Sequence, residues 1–265
     1  MGRYEIAILG AGNLGQALGK GFADELKAEK IVLTRRNLTR ISHLSDLGFA
    51  TTNDNLEATA ESTFIVLCVQ PKQLGGLLKE IEPVLDPQKH VLVSTITGVS
   101  LEKIQGYLAK DFAIIRAMPN TAAAIQESMT CICHNELANN KLADVEHMFK
   151  GLGETLVIEE RLMKAATVLA ASGIAFFLRY IRAATQGGIE LGFEAEEAQK
   201  IAMQTARGAA SLLAQGAHPE REIDRVTTPM GCTIAGLNEM EHQGLSSALI
   251  KGIVASFEKI NTIAE

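Results

Sequence analysis

Gly10, Gly12 and Gly15, in the run Ile8-Leu9-Gly10-Ala11-Gly12-Asn13-Leu14-Gly15, have the spacing of a turn that holds a pyrophosphate. The first glycine permits a tight turn out of a strand, the second lets the backbone approach the phosphates, and the third lets a helix pack closely on the strand. A helix opening there directs unpaired N–H groups at the anion. The same three glycines would also suit a plain strand-to-helix turn. The apolar stretch Tyr4 to Leu9 before them and the Ala/Leu-rich segment after them favour dinucleotide binding.

In such folds the second strand ends at the group that meets the adenosine ribose, about 20 residues past the glycines. That place reads Ile31-Val32-Leu33-Thr34-Arg35-Arg36-Asn37. An acidic residue would accept bonds from a free 2′-hydroxyl and repel a 2′-phosphate. The hydroxyl of Thr34 and the guanidiniums of Arg35 and Arg36 would instead clamp the phosphate, which points to NADP rather than NAD.

These residues require a framework of strands and helices. Tyr4–Leu9, Ile31–Thr34, Thr63–Val69, His90–Thr95, Ala113–Met118 and Met129–His134 read as strands, with helical patterns between them. That alternation implies an α/β fold, a Rossmann-type doubly wound parallel sheet with helices on both faces. Strand patterns stop near residue 161, which divides the chain into a nucleotide-binding domain, 1–161, and an all-helical domain, 162–265. In the second part Ile174, Phe177, Leu178 and Ile181 recur at helical spacing from Ser172, read as an N-cap. Further helices are expected over Ala195–Leu213, behind an acidic first turn, and from about Leu245 to Ile260. So much apolar helical surface suggests core or subunit interface, hence at least a dimer.

With 265 residues and 47% hydrophobic content the chain can fill substantial cores. No segment reads as long and apolar enough to span a bilayer and no signal pattern opens the chain, so a cytoplasmic location and no membrane partner are expected. A net charge of −6 without a basic stripe argues against nucleic acid. Cys68, Cys131, Cys133 and Cys232 are too few and too irregular for a disulfide framework. Cys131-Ile132-Cys133-His134 lacks a second ligand pair, so no metal is expected and buried strand thiols are the preferred reading.

Three loops follow strand ends, where ligands of doubly wound sheets lie: Cys68-Val69-Gln70-Pro71, Thr95-Ile96-Thr97-Gly98 and Arg116-Ala117-Met118-Pro119-Asn120-Thr121. With them, ILGAGNLGQAL, LCVQPKQ, RAMPNTA, LAASGIAFF with GGIELGF, and TTPMGCTIAGL occur in one order. In these stretches the chain resembles the pyrroline-5-carboxylate reductases over nearly its whole length. The resemblance implies a dinucleotide domain followed by a helical dimerisation domain. The implied reaction is hydride transfer from NADPH to the imine carbon of a carboxylated five-membered ring, yielding proline. A protonated C=N is already electrophilic, so the protein has mainly to position the donor and exclude water. Accordingly, no catalytic triad is apparent.

The resemblance carries Gly10, Gly12, Asn13, Leu14 and Gly15 to the pyrophosphate, Arg35 and Arg36 to the 2′-phosphate, and Asn55 to the adenosine. Val69, Gln70, Pro71, Thr97 and Gly98 would line the nicotinamide half, and Met118, Pro119 and Asn120 the wall toward the substrate. Ser172, Thr228, Gly231, Cys232 and Thr233 would bind the substrate, with Thr233 near the ring nitrogen as the catalytic candidate; its other reading is an N-cap hydroxyl. The chain departs from the family at Ala170 and Ile174 in a Ser-Gly-Ser-Gly-Pro-Ala run, at Met230 and Cys232 in Gly-Gly-Thr-Thr, and at Gln70, commonly Lys. Two alternatives stay open: a related imine or keto-acid reductase with another substrate, and a non-catalytic NADPH-binding sensor.

Overall fold

A computed structural model describes residues 2–263. Contacts divide the chain into two compact units, Met1–Ser172 with Phe257–Glu265 and Gly173–Ser256.

The first unit is built on one eight-stranded sheet of order β3-β2-β1-β4-β5-β6-β7-β8. Its strands are β1 (Ile6–Leu9), β2 (Ile31–Thr34), β3 (Ala50–Thr52), β4 (Phe64–Leu67), β5 (Val91–Ser94), β6 (Ala113–Met118), β7 (Ser128–His134) and β8 (Gly153–Val157). The six expected strands are all present, those over 31–34 and 113–118 with the expected bounds. Two others were not expected, and both lie at sheet edges. β3 has three residues, and β8 carries Glu154 and Thr155 among exposed neighbours, so neither offers a buried apolar run.

The expectation of a parallel sheet is corrected at one place: β6 and β7 pair antiparallel, with Ala117 opposite Ile132. Residues 119–127 between them fall short of the dozen or so that a parallel crossover requires. Helices α1 (Asn13–Phe22), α2 (Ser42–Asp46), α3 (Asn55–Ala60), α4 (Leu74–Ile81), α5 (Leu101–Gln105) and α6 (Leu142–Lys150) complete the layers. Successive strand residues feed opposite cores: Leu9, Leu67, Leu92 and Ile114 on one face, Ile8, Val66, Val93 and Ile115 on the other. Burial on both faces explains why the central strands read as continuous apolar runs.

Next come α7 (Met163–Ala166), a π-helical stretch over Thr167–Ser172, and α8 (Gly173–Glu190), forming one helical run of residues 160–190. Ser172 therefore does not cap a helix, as its side chain and position suggested; it lies inside one. This also corrects the expectation about bilayer-length segments. The fused run is long and apolar enough to cross a membrane by length and composition, an 18-residue window within it reaching a mean hydropathy of 1.5. Breaking it at Ser172 hid that length.

α9 (Ala195–Ala214), α10 (Pro219–Val226), α11 (Cys232–His242) and α12 (Leu245–Ile263) follow. In the second unit α8 and α9 approach closely where Gly188 meets Ala198, since a Cβ on Gly188 would stand 2.9 Å from that of Ala198. The apolar stripe of α8 is not core: Phe177 is 73% and Leu178 59% exposed within the single chain.

Candidate functional site

The glycine turn joins β1 to α1. Gly10 sits at φ +106, a region open to glycine but rarely to other residues, and a Cβ there would stand 2.6 Å from the Cys68 carbonyl oxygen. A Cβ on Gly15 would lie 2.5 Å from the Gly10 carbonyl oxygen, so the helix could not close onto the strand. Gly12 differs, because a Cβ there would meet nothing within 4 Å. It is the N-cap of α1 and brings no side chain to cap it. Open space beside an uncapped ten-residue helix start is the arrangement that fits a pyrophosphate.

The end of β2 is fastened to this turn. The Ala11 amide donates to the Thr34 carbonyl at 2.8 Å, and Arg35 Nη1 donates to the Ala11 carbonyl at 2.6 Å. Arg36 is exposed beside it. The hydroxyl of Thr34, only 2% exposed, donates to Asn55 Oδ1 at 2.6 Å, and Asn55 Nδ2 donates to Glu80 Oε1 at 3.1 Å. Thr34, Arg35 and Asn55 are thus brought together, with Thr34 turned inward. Glu80 escaped the sequence reading because it lies in α4 and belongs to no recognised motif.

The loops after β4, β5 and β6 carry the remaining cofactor candidates. Val69 abuts Gly10, with its Cγ1 2.8 Å from where a Cβ would be. Gln70 opens a capped turn at Pro71, its amide donating to Gln73 Oε1 at 3.1 Å. Gly98 takes φ +78, and Thr97 Oγ1 lies 4.0 Å from Met118 Sδ. Met118, Pro119 and Asn120 are buried. The Asn120 side chain is a brace: Oδ1 accepts from the Ala122 amide at 2.9 Å and Nδ2 donates to the Ala170 carbonyl at 3.1 Å. That carbonyl belongs to the π-helical stretch that also holds Ser172.

Arg116, which opens the RAMPNT run, is buried and pairs through Nη1 with Glu160 Oε1 at 2.8 Å. The same Glu160 oxygen accepts the Leu101 amide at 2.7 Å, so one carboxylate ties β6 to the start of α5. Cys133 stands opposite Arg116 in the sheet, and burial pushes its thiol up to about 11. Burial also raises the Cys131 thiol. Both cysteines are therefore protonated near neutrality. Among the described residues no group of three or more His, Cys, Asp and Glu could hold a metal ion.

In the second unit Thr228, Gly231, Cys232 and Thr233 gather at the start of α11. The Gly231 amide donates to the Thr228 carbonyl at 3.0 Å, closing a turn with Pro229 and Met230 at its centre. Met230 takes φ +58 and is fully exposed. A turn with Pro second and a positive φ third is the type II pattern, whose third place ordinarily falls to glycine. A Cβ on Gly231 would stand 2.5 Å from Thr228 Oγ1. Gly231 is the N-cap of α11, without side-chain capping, so Thr233 is the second helical residue and not the cap. Ser172 lies in the first unit, apart in the division of the chain from these four.

Comparison with known proteins supplies the remaining findings. Residues 160–263 match the family described as pyrroline-5-carboxylate reductase dimerisation, and residues 5–98 match NADP oxidoreductase coenzyme F420-dependent. Pyrroline-5-carboxylate reductase 2 of Dictyostelium discoideum is 47% identical over 96% of this chain and 91% of its own length. Pyrroline-5-carboxylate reductase 1 of the same organism is also 47% identical over 96% of this chain, which spans about half, 49%, of that longer relative. In fold, the chain is similar to a Plasmodium falciparum pyrroline carboxylate reductase solved with NADP bound. The TM-score is 0.90 at 23% identity, covering 100% of both chains.

Proposed function

The chain belongs to the pyrroline-5-carboxylate reductase family, and from that membership we propose that it reduces the C=N bond of pyrroline-5-carboxylate to give proline, with NADPH as donor. The observation that carries the cofactor reading is the Arg35 to Ala11 bond, which holds a guanidinium against an open, uncapped glycine turn.

When bound, NADPH supplies the hydride for the imine carbon. The backbone of Gly10, Gly12, Asn13, Leu14 and Gly15 holds the pyrophosphate at the start of α1. Arg35 and Arg36 neutralise the 2′-phosphate, with Asn55 and Thr34 fixing the adenosine end. Val69, Gln70, Pro71, Thr97 and Gly98 line the nicotinamide half, and Met118, Pro119 and Asn120 form its buried wall. The substrate carboxylate takes the uncapped backbone donors of Cys232 and Thr233 at the start of α11, helped by the Thr228 hydroxyl. Thr233 places a hydroxyl by the ring nitrogen, where it orients the protonated imine. No general base is needed, because the imine nitrogen already carries its proton when hydride arrives at carbon.

We assign the nucleotide-binding role to residues 1–161 and the substrate and dimer roles to 162–265. The exposed apolar face of α8, in the region matching the dimerisation family, supports at least a homodimer. The test of hydride transfer is a reaction with deuterated NADPH. Proline carrying deuterium at the former imine carbon is expected, and proline lacking the label, or no proline, contradicts the assignment.

A further inference from the structure

We propose that Glu80 is a positioning residue for the adenosine end of the cofactor site, acting through Asn55 to set the preference for a 2′-phosphorylated dinucleotide. The proposal rests on the reading of the glycine turn as a dinucleotide site and extends it to a side chain outside every motif. Thr34 is buried at the end of β2, and its hydroxyl gives its one proton to Asn55 Oδ1 at 2.6 Å. Asn55 in turn gives an amide proton to Glu80 Oε1 at 3.1 Å.

A carboxylate can only accept, whereas a hydroxyl can donate or accept. Thr34 alone would therefore tolerate either orientation of the Asn55 amide. Glu80 does not, because a reversed amide would set two acceptors against each other. With the orientation fixed, the second amide proton of Asn55 is left for a ligand oxygen. A phosphate takes such a donor and offers none in return, while a ribose hydroxyl adapts to either polarity. Losing the fixed donor thus weakens NADPH binding more than NADH binding.

The test is calorimetric binding of NADPH and NADH to the full chain and to Glu80→Ala and Glu80→Gln. Glu80 is exposed, so melting temperatures are expected to stay together. Glu80→Ala should weaken NADPH about 5- to 10-fold, the scale of one hydrogen bond, and NADH less than about 2-fold. Glu80→Gln, whose amide can accept from Asn55 or donate to it and so no longer fixes its orientation, should also weaken NADPH more than NADH. An equal loss for both nucleotides, no loss for either, or a Gln variant as tight as the unaltered chain overturns the positioning role. Failure of the unaltered chain to bind either nucleotide is a separate pattern that overturns the reading of the turn itself.

Discussion

Arg35 donates from Nη1 to the Ala11 carbonyl at 2.6 Å, so the cation at the end of β2 and the glycine turn after β1 form one assembly. Arg35→Ala removes a strut of the turn and, on the proposed assignment, a clamp for the 2′-phosphate. The Michaelis constant for NADPH is expected to rise about 10- to 100-fold, the worth of a charge-assisted hydrogen bond, and that for NADH much less. Equal rises would sink the phosphate assignment.

Gly12 and Gly15 separate binding from folding. Gly15→Ala presses a methyl against the Gly10 carbonyl and should lower the melting temperature of the free protein. Gly12→Ala meets open space in the free protein, so its melting temperature should hold while NADPH affinity falls about tenfold or more. Thermal melts with and without NADPH distinguish the two variants, and a Gly12→Ala protein that binds normally would remove the pyrophosphate from this turn.

Met230 occupies a left-handed conformation with its side chain in solvent, so replacement by glycine relieves strain and gives up no packing. Met230→Gly is expected to stabilise the chain by about 0.5–1 kcal/mol in denaturant unfolding, after the greater unfolded-state freedom of glycine is counted. A destabilised variant would mean that the Met230 side chain is held by a contact in the assembled protein.

His90 makes stability depend on pH. The residue is buried, and its Nδ1 accepts the Asp86 amide at 2.8 Å. Burial, with the neighbouring Lys89 charge, lowers its pKa below 6.5, against a smaller opposite effect from Asp86. The folded state thus holds His90 neutral while the unfolded chain takes up a proton. Its contribution is intact above pH 6.5 and is lost as pH falls from there toward the folded value. Unfolding curves across that window should slope less steeply for His90→Asn than for the unaltered chain; parallel slopes would exclude His90 as the source.

Much of the first unit was legible because its signals are local. Gly10 and Gly15 answer to turn geometry alone, and strands buried on both faces write continuous apolar runs. What escaped was set at a distance. The antiparallel turn of β7 follows from a short connection, and β3 and β8 are edges with little to bury. Ser172 looks like a cap in isolation, yet the π-helical stretch carries the chain straight through it. Glu80 reaches Asn55 only because α3 and α4 pack together, and no local pattern records that. The positive φ of Met230 was hidden for another reason: a methionine stands where the turn calls for glycine.

The most direct measurement is the rate of NADPH oxidation by purified protein with pyrroline-5-carboxylate, run beside piperideine-6-carboxylate, pyrroline-2-carboxylate and a keto acid. Fast turnover with the first substrate, and a much lower kcat/KM with the others, is the expected result. A clear preference for another imine would show that Met230 and Cys232 have redirected the site. No turnover with any of them, despite tight NADPH binding, would contradict the assignment as a reductase.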